Sequence, residues 1–163
     1  MIAASSCNAE ADCFCTKLES KWQISTLGEA KHILGIMLHC DKINCIITLH
    51  QTVLLNKLIS TFSQADANPV STPIAHRALL IQPGPNNAVN DEEALCLQSL
   101  PYHSLVGLLM YIAEGTCPDI MFTMTKLSCF LDYYCKEHWK AAIWVLHYLK
   151  GTCDLHLILG GRD

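Results

Sequence analysis

Ten cysteines and eight histidines in 163 residues supply many soft ligands and nucleophiles for a chain of this size. The tightest group is His39, Cys40, Cys45 and His50, within LHCDKINCIITLH, all residue types that bind zinc. Zinc knuckles present close pairs of ligands, whereas strand neighbours such as His39 and Cys40 point to opposite faces. Ordinary strand residues are the expected reading, with a Cys/His metal-binding module as the alternative. Cys13 and Cys15, two apart on a helix, do not share a face. Cys135 and His138 have the helical spacing of a nucleophile and its base. No orienting acid or oxyanion hole accompanies them, so a satisfied surface pair is expected. The sequence contains no GxxxxGK[ST] phosphate loop, no GxGxxG turn and no GxSxG elbow. No catalytic residue and no metal ligand is therefore assigned.

Composition narrows the class. Hydrophobic residues make up 51% and charged residues 16%, which excludes a disordered chain. The formal net charge of −4, with nine Lys and only Arg77 and Arg162, argues against a free-standing nucleic-acid binder, whose affinity comes largely from neutralising phosphates. The longest apolar stretch, around SLVGLLMYIA, is shorter than the roughly 20 residues that span a bilayer. The opening MIAASSCNAEAD lacks the basic and apolar regions of a secretory signal. An intracellular protein, cytoplasmic or nuclear, with reduced thiols and no membrane partner is expected.

Elements must position whatever chemistry exists. Asn8 can cap a helix with Ala11, Phe14, Cys15, Leu18 and Trp22 on one face. Two β-prone runs flank Asp41-Lys42-Ile43-Asn44 as a hairpin. Val53, Leu54, Lys57, Leu58 and Phe62 suggest a further helix. Prolines 69, 73, 83 and 85 mark residues 64–98 as a linker or extended surface segment, with Asp91-Glu92-Glu93 a solvated run or a helix start. Pro101 suits a first helical position, ahead of a stripe of Tyr102, Leu105, Val106, Leu109 and Ile112. A second helix begins at Thr116 or Cys117 and buries Ile120, Met124, Leu127 and Leu131. A third, from Lys136 to Lys150, buries Trp139, Ala142, Val145, Leu146 and Leu149, and Gly151 stops it. The expected fold is α+β: a hairpin flanked by helices, plus a C-terminal bundle of about three helices.

The stretch PYHSLVGLLMYIAEGTCPDI resembles the YRSLVGSLMYLA…TRPDI signature of copia-type retrotransposon reverse transcriptases. LGEAKHILGIML is similar to the family's LGEAKYFLGIEI, and HWKAAIWVLHYLKGT to its HW.AAKRVLRYLKGT. IITLHQTVLLNKLISTFSQADANPVSTPI resembles I.LSQ.KYI..LL..F.M.…PVSTPM. The blocks occur in order along nearly the whole chain. The resemblance implies a partial reverse-transcriptase fold in three parts: a palm end with a primer-grip-like hairpin and following helix (1–63), the linker (64–98) and a thumb- and connection-like bundle (99–163).

It also implies roles. The family's catalytic aspartates lie in a YVDD turn commonly followed by MIIASS, and this sequence opens MIAASS. The expectation is a chain that begins just after that pair and stops before a ribonuclease H region. The Mg2+ of the intact RNA-directed DNA polymerase would then belong elsewhere, with no cofactor expected here. Leu34, Gly35 and Ile36 would set backbone against the primer end. Lys126, Lys140 and Lys150 are the candidate phosphate contacts, and primer–template duplex the implied partner. Without the rest of the palm, the hairpin is expected to lack neighbours, and its exposed apolar palm surface could bind a partner. A domesticated protein-interaction module is the third reading; co-purification would reveal it, as stoichiometric zinc would reveal a metal module.

The family pattern has Arg where this chain has His103, Cys117, Cys129, Trp144 and His147. CG-type Arg codons become Cys, Trp or His codons by single transitions, which suggests a decayed element copy; codons there that are not one transition from Arg would exclude it. Five restored Arg would bring the charge to about +1, and the bidentate guanidinium is not replaced by Cys or Trp. Binding of duplex by this copy is expected to be weak.

Overall fold

In the computed structural model of the chain, residues 5, 7–24, 28–75 and 99–161 are described. Four antiparallel strands form one sheet: β1 (His32–Ile33), β2 (Ile36–Asp41), β3 (Ile46–His50) and β4 (Leu157–Gly160), side by side in that order. Helices α1 (Asn8–Glu19), α2 (Thr52–Thr61), α3 (Tyr102–Gly115), α4 (Met121–Ser128) and α5 (Lys136–Gly151) complete the α+β fold. A 3-10 turn, Pro118–Ile120, leads into α4.

Turn chemistry builds the sheet. Asp41 accepts from the amides of Ile43 (2.9 Å) and Asn44 (3.1 Å) and from the Asn44 side chain (2.7 Å). These bonds close the β2–β3 hairpin where the sequence places it. Cys45 then takes a left-handed φ of 56° to re-enter β3. Leu34 (φ 50°) and Gly35 (φ 80°) form a second two-residue turn joining β1 to β2, with Ile33 opposite Ile36. Two positive φ values give that turn the twist a tight hairpin needs. The expected orphan hairpin is therefore corrected: β2 and β3 have a strand on each flank, and β4 returns from the far end of the chain to pair with β3.

The core is helical. Leu55, Leu58 and Ile59 of α2 join Tyr102, Leu105, Leu109 and Ile112 of α3, Met124 and Leu127 of α4, and Ala142, Val145, Leu146 and Leu149 of α5. This cluster draws on both 1–63 and 99–163. The buried face of α2 is rotated from the sequence expectation, and Val53 is exposed. The first part of the 64–98 stretch lies along α5: Lys150 donates to the carbonyls of Ala65 and Ala67, and Val70 N donates to the His147 carbonyl (3.4 Å). Asp91-Glu92-Glu93 lies outside the described residues.

Several boundaries move. Cys7, not Asn8, occupies the cap position of α1, and Trp22 lies beyond the helix, 67% exposed. No residue of α1 is buried. Pro101 is the cap residue of α3 rather than its first turn, and Gly151 is the last residue of α5 rather than its stop. Leu131 falls after α4, and both it and Trp139 are only half-buried.

Candidate nucleic-acid interface

The Leu34–Gly35 turn is an exposed apolar tip of the sheet, as is Ile43 in the β2–β3 turn, and Leu34, 79% exposed, holds a conformation L side chains rarely adopt. Holding Leu there costs about 1–2 kcal/mol. A Cβ on Gly35 would meet nothing within 4 Å, so the backbone is open to approach. Ile36 opens β2 and is half-buried. The turn is tethered: the Tyr111 hydroxyl of α3 donates to the Leu34 carbonyl. Tyr111 was not legible as a site residue. Its one signal is an aromatic ring outside the buried stripe of α3.

The three lysines differ. Lys126 is exposed on α4 with its ammonium 5.8 Å from the centre of the Phe122 ring, a cation–π contact that leaves the charge facing water. Lys140 is exposed on α5. Lys150 is half-buried and its ammonium is held by the carbonyls of Ala65 and Ala67. Lys42, at the β2–β3 turn, pairs with Glu29 at 3.0 Å; the hydrogen bond and charge of Lys42 hold the Glu29 carboxyl below its ordinary range.

The candidate cysteine and histidine sites take structural roles. Among the described residues, no three His, Cys, Asp or Glu side chains gather as a metal site. His39 and Cys40 are neighbours on β2, facing Thr48 and Ile47 of β3 respectively. Cys135 and His138 form a cap, not a surface pair: the Cys135 amide donates to His138 Nδ1 at 3.0 Å, the thiol lies 3.1 Å from the same nitrogen, and His138 is 0% exposed. Its ring stacks on Phe130 at 4.0 Å. Burial pushes the Cys135 thiol up and the His138 imidazole down, so both rest neutral. A thiolate–imidazolium nucleophile requires the opposite shifts. Among the described residues, His138 Nε2 has no hydrogen-bond partner. Elsewhere Tyr148 donates to Asp119 at 2.5 Å, and that bond, with burial, pushes the phenol up to about 12.

Along 147 residues, 90% of its length, the chain is 35% identical to the retrovirus-related Pol polyprotein from transposon TNT 1-94 of Nicotiana tabacum. It is 28% identical over 135 residues to the Pol polyprotein from transposon RE1 of Arabidopsis thaliana. The chain is related to retrotransposon Pol polyproteins. It spans 11% and 8% of the length of these two relatives. A shorter stretch of 56 residues is 39% identical to secreted RxLR effector protein 161 of Plasmopara viticola, covering 34% of this chain and 39% of that protein. No protein-family profile matches the chain, and no solved structure does.

Within this Pol-related chain, the five positions where the family pattern has Arg are not one surface. His103 and Cys129 are exposed, while Cys117 is half-buried against the core. Trp144 Nε1 donates to the Thr72 carbonyl (2.8 Å), and His147 Nε2 lies 2.8 Å from Gln64 Oε1. Both partners are acceptors, the kind of group a guanidinium would also satisfy. Among the described residues, no helix is long and apolar enough to cross a membrane.

Proposed function

We propose that this chain is the duplex-holding part of a copia-type reverse transcriptase, an RNA-directed DNA polymerase, and carries no nucleotidyl transfer of its own. The observation that supports it most is the tether between Tyr111 and Leu34. It joins the turn that the resemblance assigns to the primer end to the helix that it assigns to the thumb. Leu34, Gly35 and Ile36 present backbone to the primer terminus, while Lys126 and Lys140 meet phosphates without reading base sequence. Lys150 holds the 65–67 segment against α5 and acts through that packing. The 163 residues contain no adjacent aspartate pair, so the two-metal chemistry of the family, with its Mg2+, is assigned to the intact polyprotein. The exposed apolar side chains of α1 and its exit, Phe14, Trp22 and Ile24, are the surface through which the rest of the palm covers this part. The setting is intracellular.

A photo-crosslinking primer tests the reading. With a reactive base at the primer terminus and low salt, the peptide containing Leu34–Ile36 is expected to carry the crosslink. Crosslinks spread evenly over the surface, or confined to α1, would overturn it.

A further inference from the structure

The joint between β3 and β4 carries a device that duplex holding does not use. Leu49 pairs with Leu157, Thr48 with Ile158, Ile47 with Leu159 and Ile46 with Gly160. One step further, the same register sets His50 against His156, and their rings stack at 4.4 Å with 21° between planes. Little else holds β4. Ile158 is 62% exposed, Leu159 and Leu155 are exposed too, and only Leu157 is half-buried. At the far end the strand is pinned by backbone: Gly161 N donates to the Cys45 carbonyl at 3.1 Å, and Gly160 fits there because a Cβ would collide with that carbonyl.

We propose that the stacked His50–His156 pair is a proton-operated latch: neutral rings keep β4 on β3, and protonated rings release the strand and open the β3 edge. Two neutral imidazoles attract as stacked rings, whereas two imidazoliums at this separation repel. His50 Nδ1 is bonded to Thr52 Oγ1 at 2.9 Å, which fixes its ring but brings no counter-charge. Glu29, Lys31, His39 and Cys40 line the open groove beside His50; of these the lone carboxylate, Glu29, is held by Lys42. On the other side Cys117 and Cys153 line a cavity of about 20 Å³ with His50. Asp154 is the nearest acid to His156 along the chain. Burial, and then the neighbouring His156, shift His50 toward its neutral form. A base depressed in the docked state is protonated more readily once released. The docking it supports is therefore present above the ordinary histidine value of about 6.5 and lost as pH falls through the docked value.

Hydrogen exchange of the whole chain at about pH 7.5 and about pH 5.5 tests the latch, with rates corrected for intrinsic pH dependence. Protection at 157–161 is expected to fall several-fold at the lower pH relative to the amides of α5. His156→Phe keeps a ring without a charge, so the repulsion is removed while the burial of His50 stays, and it should lose less protection at the lower pH than the natural chain. His156→Gln, which removes stacking and charge together, should show weak β4 protection that does not vary with pH. Equal β4 protection at both pH values in the natural chain, or the same acid loss in His156→Phe, would overturn the proposal.

Discussion

The helices and the sheet of this chain are held together by different physics. On α2 to α5, side chains such as Leu105, Leu109, Met124 and Leu146 are fully buried and packed on one another. In the sheet not one described side chain reaches that class. Strand pairing, the Asp41 turn and the left-handed turn residues Leu34, Gly35 and Cys45 keep it in shape instead. A region stabilised by burial tolerates almost no loss of volume. One stabilised by backbone bonds leaves its side chains free to meet something else.

Breaking that contrast is simplest by truncation in the helical core. Leu109→Ala removes a fully buried side chain and should cost roughly 2–5 kcal/mol, read as the urea unfolding free energy. A loss below about 1 kcal/mol would mean the bundle is not the closed core described. Acid gives the next largest effect. His138 is neutral when buried, so its protonation favours the unfolded chain. Bundle stability should be full above about pH 6.5 and fall below it, by about 1.4 kcal/mol per pH unit for the proton taken up. His138→Gln keeps a side chain suited to this cap position and should flatten that dependence in urea titrations at the two pH values. A slope unchanged by His138→Gln would place the titrating group elsewhere. The smallest effect belongs to the sheet: Ile158→Ala should shift the unfolding free energy by no more than about 0.5 kcal/mol. A larger loss would show a covered face.

How far the sequence reveals the molecule follows the same divide. Helical periodicity located α3 and α5 to within a residue or two, because a stripe such as Leu105, Leu109 and Ile112 repeats at the pitch of the buried face. The β2–β3 hairpin was legible from Asp41 to Asn44. β4 was not: LILG is short, ends the chain's last described element and pairs across more than a hundred residues with β3, a contact no local pattern announces. The Cys135–His138 pair was visible as a spacing, but only its burial distinguishes a cap from a surface pair. Of the site, the tip residues are legible only through the family resemblance, whereas Tyr111 and the attachment of Lys150 depend on how α3 and α5 are placed.

The central claim is that these residues hold a nucleic-acid duplex by its backbone, feebly in this arginine-poor copy. Fluorescence anisotropy of a labelled primer–template duplex, titrated with the chain across a salt series, tests it most directly. The account predicts saturable binding at low salt, indifferent to base sequence and lost by physiological salt. In the double variant Lys126→Ala/Lys140→Ala the salt slope should be shallower by about two, one per phosphate contact. No binding at low salt, or a tight complex at physiological salt that the double variant leaves intact, would contradict it.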